Sequence, residues 1–407
     1  MVRLLLEIVF LIGTVGGLGY YVLCLWSAFR FLQFERRFHS NVRELAPPAS
    51  ILKPLKGADR EIYASFRSHC LQNYGEYEII FGVNDLEDEA VPLVRQLMAE
   101  FPDHKIRLVV CTEVLGTNRK VSNMIQMLRH ARYDFVVVND SDIRVSADYL
   151  KHVLAHFADP KVGLVTTVYR GVAAKSVGSK LESNGIATDF TAGVLAARQI
   201  ERGIHFALGS TMAMRRNVLE EIGGFQAIVD YLADDFELGQ RVAAAGHEAI
   251  LCGEVVDTFL PAYKLKPFFE HQLRWARSTR DSRKLGYAGV GLTFGLPWAM
   301  LLSAAARGAT WSWLLLGAAL VVRLAMAVMV GFGVLQDRSV LRQLWLVPLR
   351  DVMALVVWLW SYAGNTIMWR GDRFILKDGK MYRFGSDGTQ ADERFAVSHD
   401  AGESLPS

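Results

Sequence analysis

The chain has 407 residues, is 51% hydrophobic and carries a formal net charge of +3. A mean hydropathy of +0.19 is too high for a purely soluble protein and too low for a transporter of many spans. So small a net charge excludes nucleic acid as the partner. The four cysteines, Cys24, Cys70, Cys111 and Cys252, are scattered with no C-x-x-C, and read as single thiols in a reducing compartment rather than a disulfide framework or zinc site.

The first element is Ile8 to Phe29, 22 residues without a charge, enough to cross about 30 Å of hydrocarbon at 1.5 Å per residue. It is too long for the core of a cleaved signal peptide, and no A-x-A site follows. Arg30, Arg36 and Arg37 lie on its C-terminal flank, which the positive-inside rule keeps cytoplasmic together with the domain that follows.

From Ala49 to about Tyr263, short apolar runs alternate with helical ones. Strands are expected at Ser50–Leu52, Tyr77–Val83, Ile106–Cys111, Phe135–Asn139 and Val162–Val168. Helices are expected near Glu61–Cys70, Glu89–Phe101, Lys120–Ala131 and Ala147–Phe157. Such alternation predicts an α/β fold, a mostly parallel sheet with helices on both faces and ligands bound beyond the carboxyl ends of the strands. Two expected strands end there in acid: "GVND" puts Asp85 past one, and "VVVNDSD" puts Asp140 and Asp142 past another.

Asn, Asp and Ser favour turns and N-caps, so "NDSD" reads equally well as a turn. The chemical reading is a D-x-D loop whose carboxylates hold Mg²⁺ or Mn²⁺ on a substrate's diphosphate. An apolar strand followed by D-x-D also opens the haloacid-dehalogenase phosphatases, but there the motif follows the first strand and has Thr or Val where this chain has Arg144. "YLADDFELGQRVAAAGHE" reads as a helix entered through Asp234 and Asp235, residues that either favour a helix N-terminus or include a general base. "PFFEHQLRWARSTR" reads as a helix whose Arg274, Arg277 and Arg280 face anionic lipid, a diphosphate, or both.

Three apolar runs follow: Leu285–Ala306, broken by glycines and Pro297; Trp311–Leu335, with Arg323 its one charge; and Val352–Trp369. Three crossings would leave Arg370, Arg373, Lys377, Lys380 and Arg383 outside, against the positive-inside rule, so Leu285–Ala306 is expected to be interfacial or re-entrant. After about Gly385 the composition is that of a disordered tail. The expected organisation is an anchor at 1–35, a cytosolic catalytic domain at 46–284, a membrane region at 285–370 with about two spans, and a cytosolic, partly disordered tail at 371–407.

In order, "ILKPLKGAD", "GVND", "NDSDIRV", "ADDFELG" and "LRW" resemble the ceramide glucosyltransferase type of glycosyltransferase, family 21. The resemblance runs from the anchor to about Arg283. It implies a GT-A-type, Rossmann-like fold and a multi-pass membrane enzyme that takes a UDP-sugar and inverts the anomeric centre. It implies that Asp85 contacts the uracil and ribose, that Asp140, completed by Asp142, binds the divalent cation, and that Asp235 is the base. Lys53 and Lys120, in the K-P-L-K-G and K-V-S-N runs, fall with the donor. The closing Q/R-x-x-R-W motif falls on His271, Arg274 and Trp275, with His271 in place of the usual Gln or Arg as a pH-dependent donor to phosphate. The acceptor implied is a membrane lipid hydroxyl, either ceramide receiving glucose or a bacteriohopanepolyol receiving N-acetylglucosamine. A polysaccharide synthase shares the acids but needs more spans, and a non-catalytic scaffold would not retain all of them.

Overall fold

The computed structural model describes residues 1–41, 45–59, 61–369 and 372–383. A 40-residue helix, Val2–Asn41, opens the chain. An eight-stranded sheet follows: β1 (Ala49–Pro54), β2 (Tyr77–Val83), β3 (Ile106–Val110), β4 (Phe135–Val138), β5 (Ile143–Arg144), β6 (Val162–Val172), β7 (Met212–Arg215) and β8 (Glu248–Phe259), in the spatial order β3-β2-β1-β4-β7-β6-β8-β5. Strands β3, β2, β1 and β4 are mutually parallel. Strand β7 runs antiparallel between β4 and β6, and β8 is parallel to β6. The sheet is therefore mostly parallel, as the alternating pattern predicts.

Alternation along the strands decides how the faces are covered. Leu52, Ile80, Val136 and Val138 point to one side and pack with Val121, Met124 and Met127 of the helix Arg119–Leu128. Ile51, Ile79, Phe81 and Val137 point to the other and meet Phe66, Val94 and Leu154 from three helices. Strands β5, β7 and β8 lie outside the expected set. Strand β7 is the four-residue "MAMR", too short for a visible period, and β8 mixes buried and half-exposed positions along twelve residues.

Among the described residues, three helices are long and apolar enough to cross a membrane: Val2–Phe38, Thr310–Val334 and Ser339–Ser361. A fourth candidate is the pair Lys284–Thr293 and Gly295–Ala305, bent by 54°. The second helix of that pair runs back along the N-terminal helix: a Cβ on Gly17 would touch the Gly295 backbone at 2.1 Å, and Trp298 stacks on Phe10 at 5.9 Å. Only glycine permits that approach. Arg323, the one charge in its apolar run, is buried and makes a two-bond fork to Asp351 at 2.7 and 2.8 Å, with a third bond to the Thr188 carbonyl. An isolated guanidinium there would be costly, and the fork compensates it.

The final uncharged run does not stay helical to Trp369. Its helix, Val347–Ser361, ends where Arg280 binds the carbonyls of Ser361 and Gly364, and "TIMW" becomes β9 (Thr366–Trp369), with Ile367 buried and Met368 exposed. Composition cannot distinguish these states, because the strand's period is visible only once one face is covered. Strands β10 (Asp372–Lys377) and β11 (Lys380–Arg383) complete a small antiparallel sheet. It docks on the α/β domain, where Leu232 N–H donates to the Gly379 carbonyl and Met381 N–H to that of Asp230. The expected disordered tail falls at 384–407, outside the described residues.

Candidate active site

The carboxyl ends of β1, β2 and β4 share one edge of the sheet, which is why Lys53, Asp85 and Asp140 arrive at one end of the fold. Asn139 is fully buried at the end of β4. Its amide donates to the Tyr149 hydroxyl, the Ser210 carbonyl and the Thr211 hydroxyl, pinning the acidic turn to the loop before β7. That loop carries Gly209. A methyl group on Gly209 would lie 2.9 Å from Asp140 Oδ2 and 3.6 Å from both Asp235 Oδ2 and Lys120 Nζ. Three charged groups from three separate segments thus converge on one small space that a side chain would fill.

Asp234 and Asp235 open the helix Asp234–Ala244, as the acids before its apolar spacing predict. Asp235 accepts the Gly209 N–H through Oδ2 and the Phe236 N–H through Oδ1, both within 3 Å. Burial, then Asp234, pushes its carboxyl above the ordinary carboxylate range. Lys120 pairs with Asp140 Oδ1 at 2.8 Å and Asp234 Oδ2 at 3.0 Å. Burial alone would lower its pKa, but these acids reverse the balance and hold it above the usual lysine range. Lys120 is presented by a helix that Asn118 caps, its side chain accepting from Lys120 N–H and Val121 N–H.

Lys53 has no solvent exposure and donates to the Asp140 backbone carbonyl at 3.0 Å, so its place is beneath the acidic turn. Burial lowers its pKa to about 7 against the pull of Asp142 and Asp140. Asp142 accepts from the Thr258 hydroxyl, and burial, with Asp140 second, pushes its carboxyl up to about 6. Two carboxylates on one turn are a donor set suited to a hard divalent cation. No three His, Cys, Asp or Glu side chains form a cage for a metal ion among the described residues. Such a cation would therefore share its remaining positions with water or phosphate.

Asp85 stands apart from this cluster. It is exposed beyond β2 and accepts the Glu87 N–H at 2.9 Å, a turn that leaves its other oxygen to solvent. Its neighbour Asp88 accepts Gly57 N–H with both oxygens, tying this loop to the K-P-L-K-G segment.

His271, Arg274 and Trp275 lie on the helix Leu265–Ser282. The rings of Tyr169, Phe190, Trp275, His271 and Tyr263 follow one another at centroid separations of 5.4, 6.3, 4.9 and 5.6 Å. Tyr169 joins this wall to the acids: burial raises its hydroxyl first, and Asp235, Glu182, Asp140 and Asp142 add to the shift. At the other end Tyr263 is raised by burial and Glu182, while Arg274 opposes. His271 Nδ1 lies 3.1 Å from Glu182 Oε1, whose side chain is 1% exposed. Residue type alone does not single out Glu182, Asn139, Gly209 or Tyr169.

The family model "Glycosyl transferase family 21" matches residues 9–382. The chain belongs to that family. It is 26% identical over 275 residues to ceramide glucosyltransferase 3 of Caenorhabditis elegans and 25% over 270 residues to ceramide glucosyltransferase 1 of the same organism. Those alignments cover 67% and 66% of this chain but 60% and 58% of the relatives, so it spans about three-fifths of their length. A beta-monoglucosyldiacylglycerol synthase of Trichormus variabilis is 24% identical over 58% of this chain and 48% of its own. Among solved structures, mannosyltransferase PcManGT of Pyrobaculum calidifontis, in complex with GDP-Man and Mn²⁺, superposes with a TM-score of 0.51. The match covers 87% of this chain and 99% of that one at 20% identity, a likeness of fold. The family 21 chain thus has the GT-A-like architecture that the resemblance implies, on the mostly parallel sheet that its strand pattern predicts.

Proposed function

We propose that this protein transfers a hexose from a UDP-sugar to the hydroxyl of a membrane lipid with inversion, acting as a ceramide glucosyltransferase-type enzyme with UDP-glucose as donor. The observation that carries this reading is the convergence of Asp140, Asp235 and Lys120 around Gly209. Asp235 is the base: its oxygens are oriented by two backbone N–H groups, and its raised pKa suits it to accept a proton from the attacking hydroxyl. Asp140 and Asp142 would hold a divalent cation, which when bound neutralises charge on the diphosphate. Lys120 keeps Asp140 and Asp234 apart and in register, and Lys53 supports the turn from below. Asp85 reaches the nucleoside, and His271, Arg274 and Trp275 close the site over the leaving group. The names of the relatives support a lipid acceptor, and the aromatic wall offers an apolar surface beside the base.

We place the catalytic domain on the cytoplasmic face of a multi-pass protein. Arg30, Arg36 and Arg37 flank the first helix on that side. The C-terminal sheet rests on the loop before Asp234, which requires the chain after Leu285 to leave and return.

The test is transfer by the reconstituted full chain from labelled UDP-glucose or UDP-N-acetylglucosamine to ceramide, diacylglycerol or a hopanoid polyol. Label from UDP-glucose in ceramide, lost in Asp235→Asn while UDP binding persists, is the expected result. Absence of lipid label with every pairing would reject the reading, and UDP binding lost together with transfer would reject the role of Asp235.

A further inference from the structure

Where the N-terminal helix leaves its apolar stretch, it forms a cavity of about 150 Å³ with the helix Thr191–Ile200. Its lining is Arg30, Gln33, Phe34, Arg37, Arg198 and Gln199: three guanidiniums, two amides, one ring and no carboxylate. Arg198 is held by stacking, its guanidinium carbon 4.6 Å from the Phe34 ring centroid and 5.5 Å from that of Phe31. Arg30 comes from the opposite wall. Burial holds Arg198 below the usual arginine range, with Glu35 opposing and Arg30 adding to the effect. Glu35, the carboxylate that acts on Arg198, lies outside the lining.

The height of this cavity identifies its ligand. Arg30 is the first charge after 22 uncharged residues, and Arg37 is two turns further, about 10 Å along the axis. That interval is the phosphate layer of a bilayer when the preceding residues fill its hydrocarbon. Guanidinium forks bind phosphoryl oxygens in pairs, and glutamine amides donate to the same atoms. Basic pockets between helices on the cytoplasmic side hold anionic head groups by this chemistry.

We infer that this cavity is a binding site for the phosphoryl head group of an anionic glycerophospholipid, separate from the glycosyl-transfer site. The inference rests on the membrane placement proposed above and not on the chemistry at Asp235. A lipid held there would clamp the Thr191–Ile200 helix, and with it the insertion carrying Glu182, to the N-terminal helix.

The test is native mass spectrometry of the full chain released from vesicles of equal phosphatidylcholine and phosphatidylglycerol. Retained phosphatidylglycerol should exceed phosphatidylcholine several-fold, and the excess should fall about fivefold for each arginine removed in R30Q and R198Q. The double variant R30K/R198K keeps charge and serves as the folding control; it should retain part of the selectivity. Equal retention of both lipids by the wild type would overturn the proposal, as would selectivity unchanged in R30Q/R198Q. Displacement of the lipid by inorganic phosphate at comparable concentration would assign the site to a soluble anion and overturn its lipid source. Transfer activity is not the readout, so the result stands apart from the fate of the proposed function.

Discussion

The two sides of the site are held by different forces. Around Gly209, Lys120 lies within 3.0 Å of two carboxylates, and Asp235 accepts two backbone N–H bonds. Across from it, Glu182 meets one histidine through one oxygen, its Oε2 has no hydrogen-bond partner among the described residues, and the neighbouring walls are rings. Mutual charge fixes the first side, so removing one member misplaces the others. Packing fixes the second, where a single polar change should be absorbed. Asp235→Asn probes the first side most severely. It keeps the shape and removes the base, and transfer should fall by roughly 10²–10⁴-fold. With the wild type, kcat/KM should fall as pH drops through a value above the ordinary aspartate value of about 3.9, because the raised group protonates earlier. An acid limb at or below that value would separate Asp235 from the proton transfer.

Lys120→Met tests whether charge organises this side. The substitution removes a cation while leaving Asp140, Asp234 and Asp235 to repel one another. Breaking a buried pair on one side costs about 3–5 kcal/mol, and here the lower end applies because Lys120 and Asp140 retain some exposure. A melting-temperature change within error would mean that the acids are positioned by their backbone instead. Gly209→Ala asks the same question with volume. The new methyl group would stand 2.9 Å from Asp140 Oδ2, and overpacking costs about 1–3 kcal/mol. Transfer should drop about tenfold, with the carboxylate displaced; unchanged transfer would show that this space is not where the reaction occurs.

The sequence made the first side legible and largely concealed the second. The apolar stretches Ile79–Val83 of β2 and Val136–Val138 of β4 are buried on both faces, and the acids past them stand out against that background. The motifs around Asp140 and Asp235 therefore mark the place where the charged groups converge on Gly209. Asn139 is visible only as the polar end of an apolar strand; its three donations depend on Tyr149, Ser210 and Thr211, which the chain brings from elsewhere. Glu182 lies 89 positions before His271, and no local spacing announces that contact. Strand β7 is antiparallel and four residues long, so neither helix alternation nor period marks it. The partner of Lys53 is a backbone carbonyl, a kind of contact that residue identity does not reveal.

The smallest expected effect is at Glu182. Glu182→Gln keeps the length of the side chain and an amide oxygen for His271 Nδ1, while deleting a charge that is almost fully enclosed. Removing the charge from that 3.1 Å contact should cost about 1 kcal/mol, so transfer should fall roughly fivefold. If Glu182 acts by orienting His271 toward the leaving group, the loss should appear in kcat with the donor KM little changed. If Glu182 only fills space beneath the rings, Glu182→Gln should leave both kcat and KM alone, since its volume is conserved. A drop in stability without either kinetic change would place Glu182 with the packing of the wall. The sharp difference between the two sides would then extend to function, with charge confined to the acids around Gly209 and the aromatic side contributing shape.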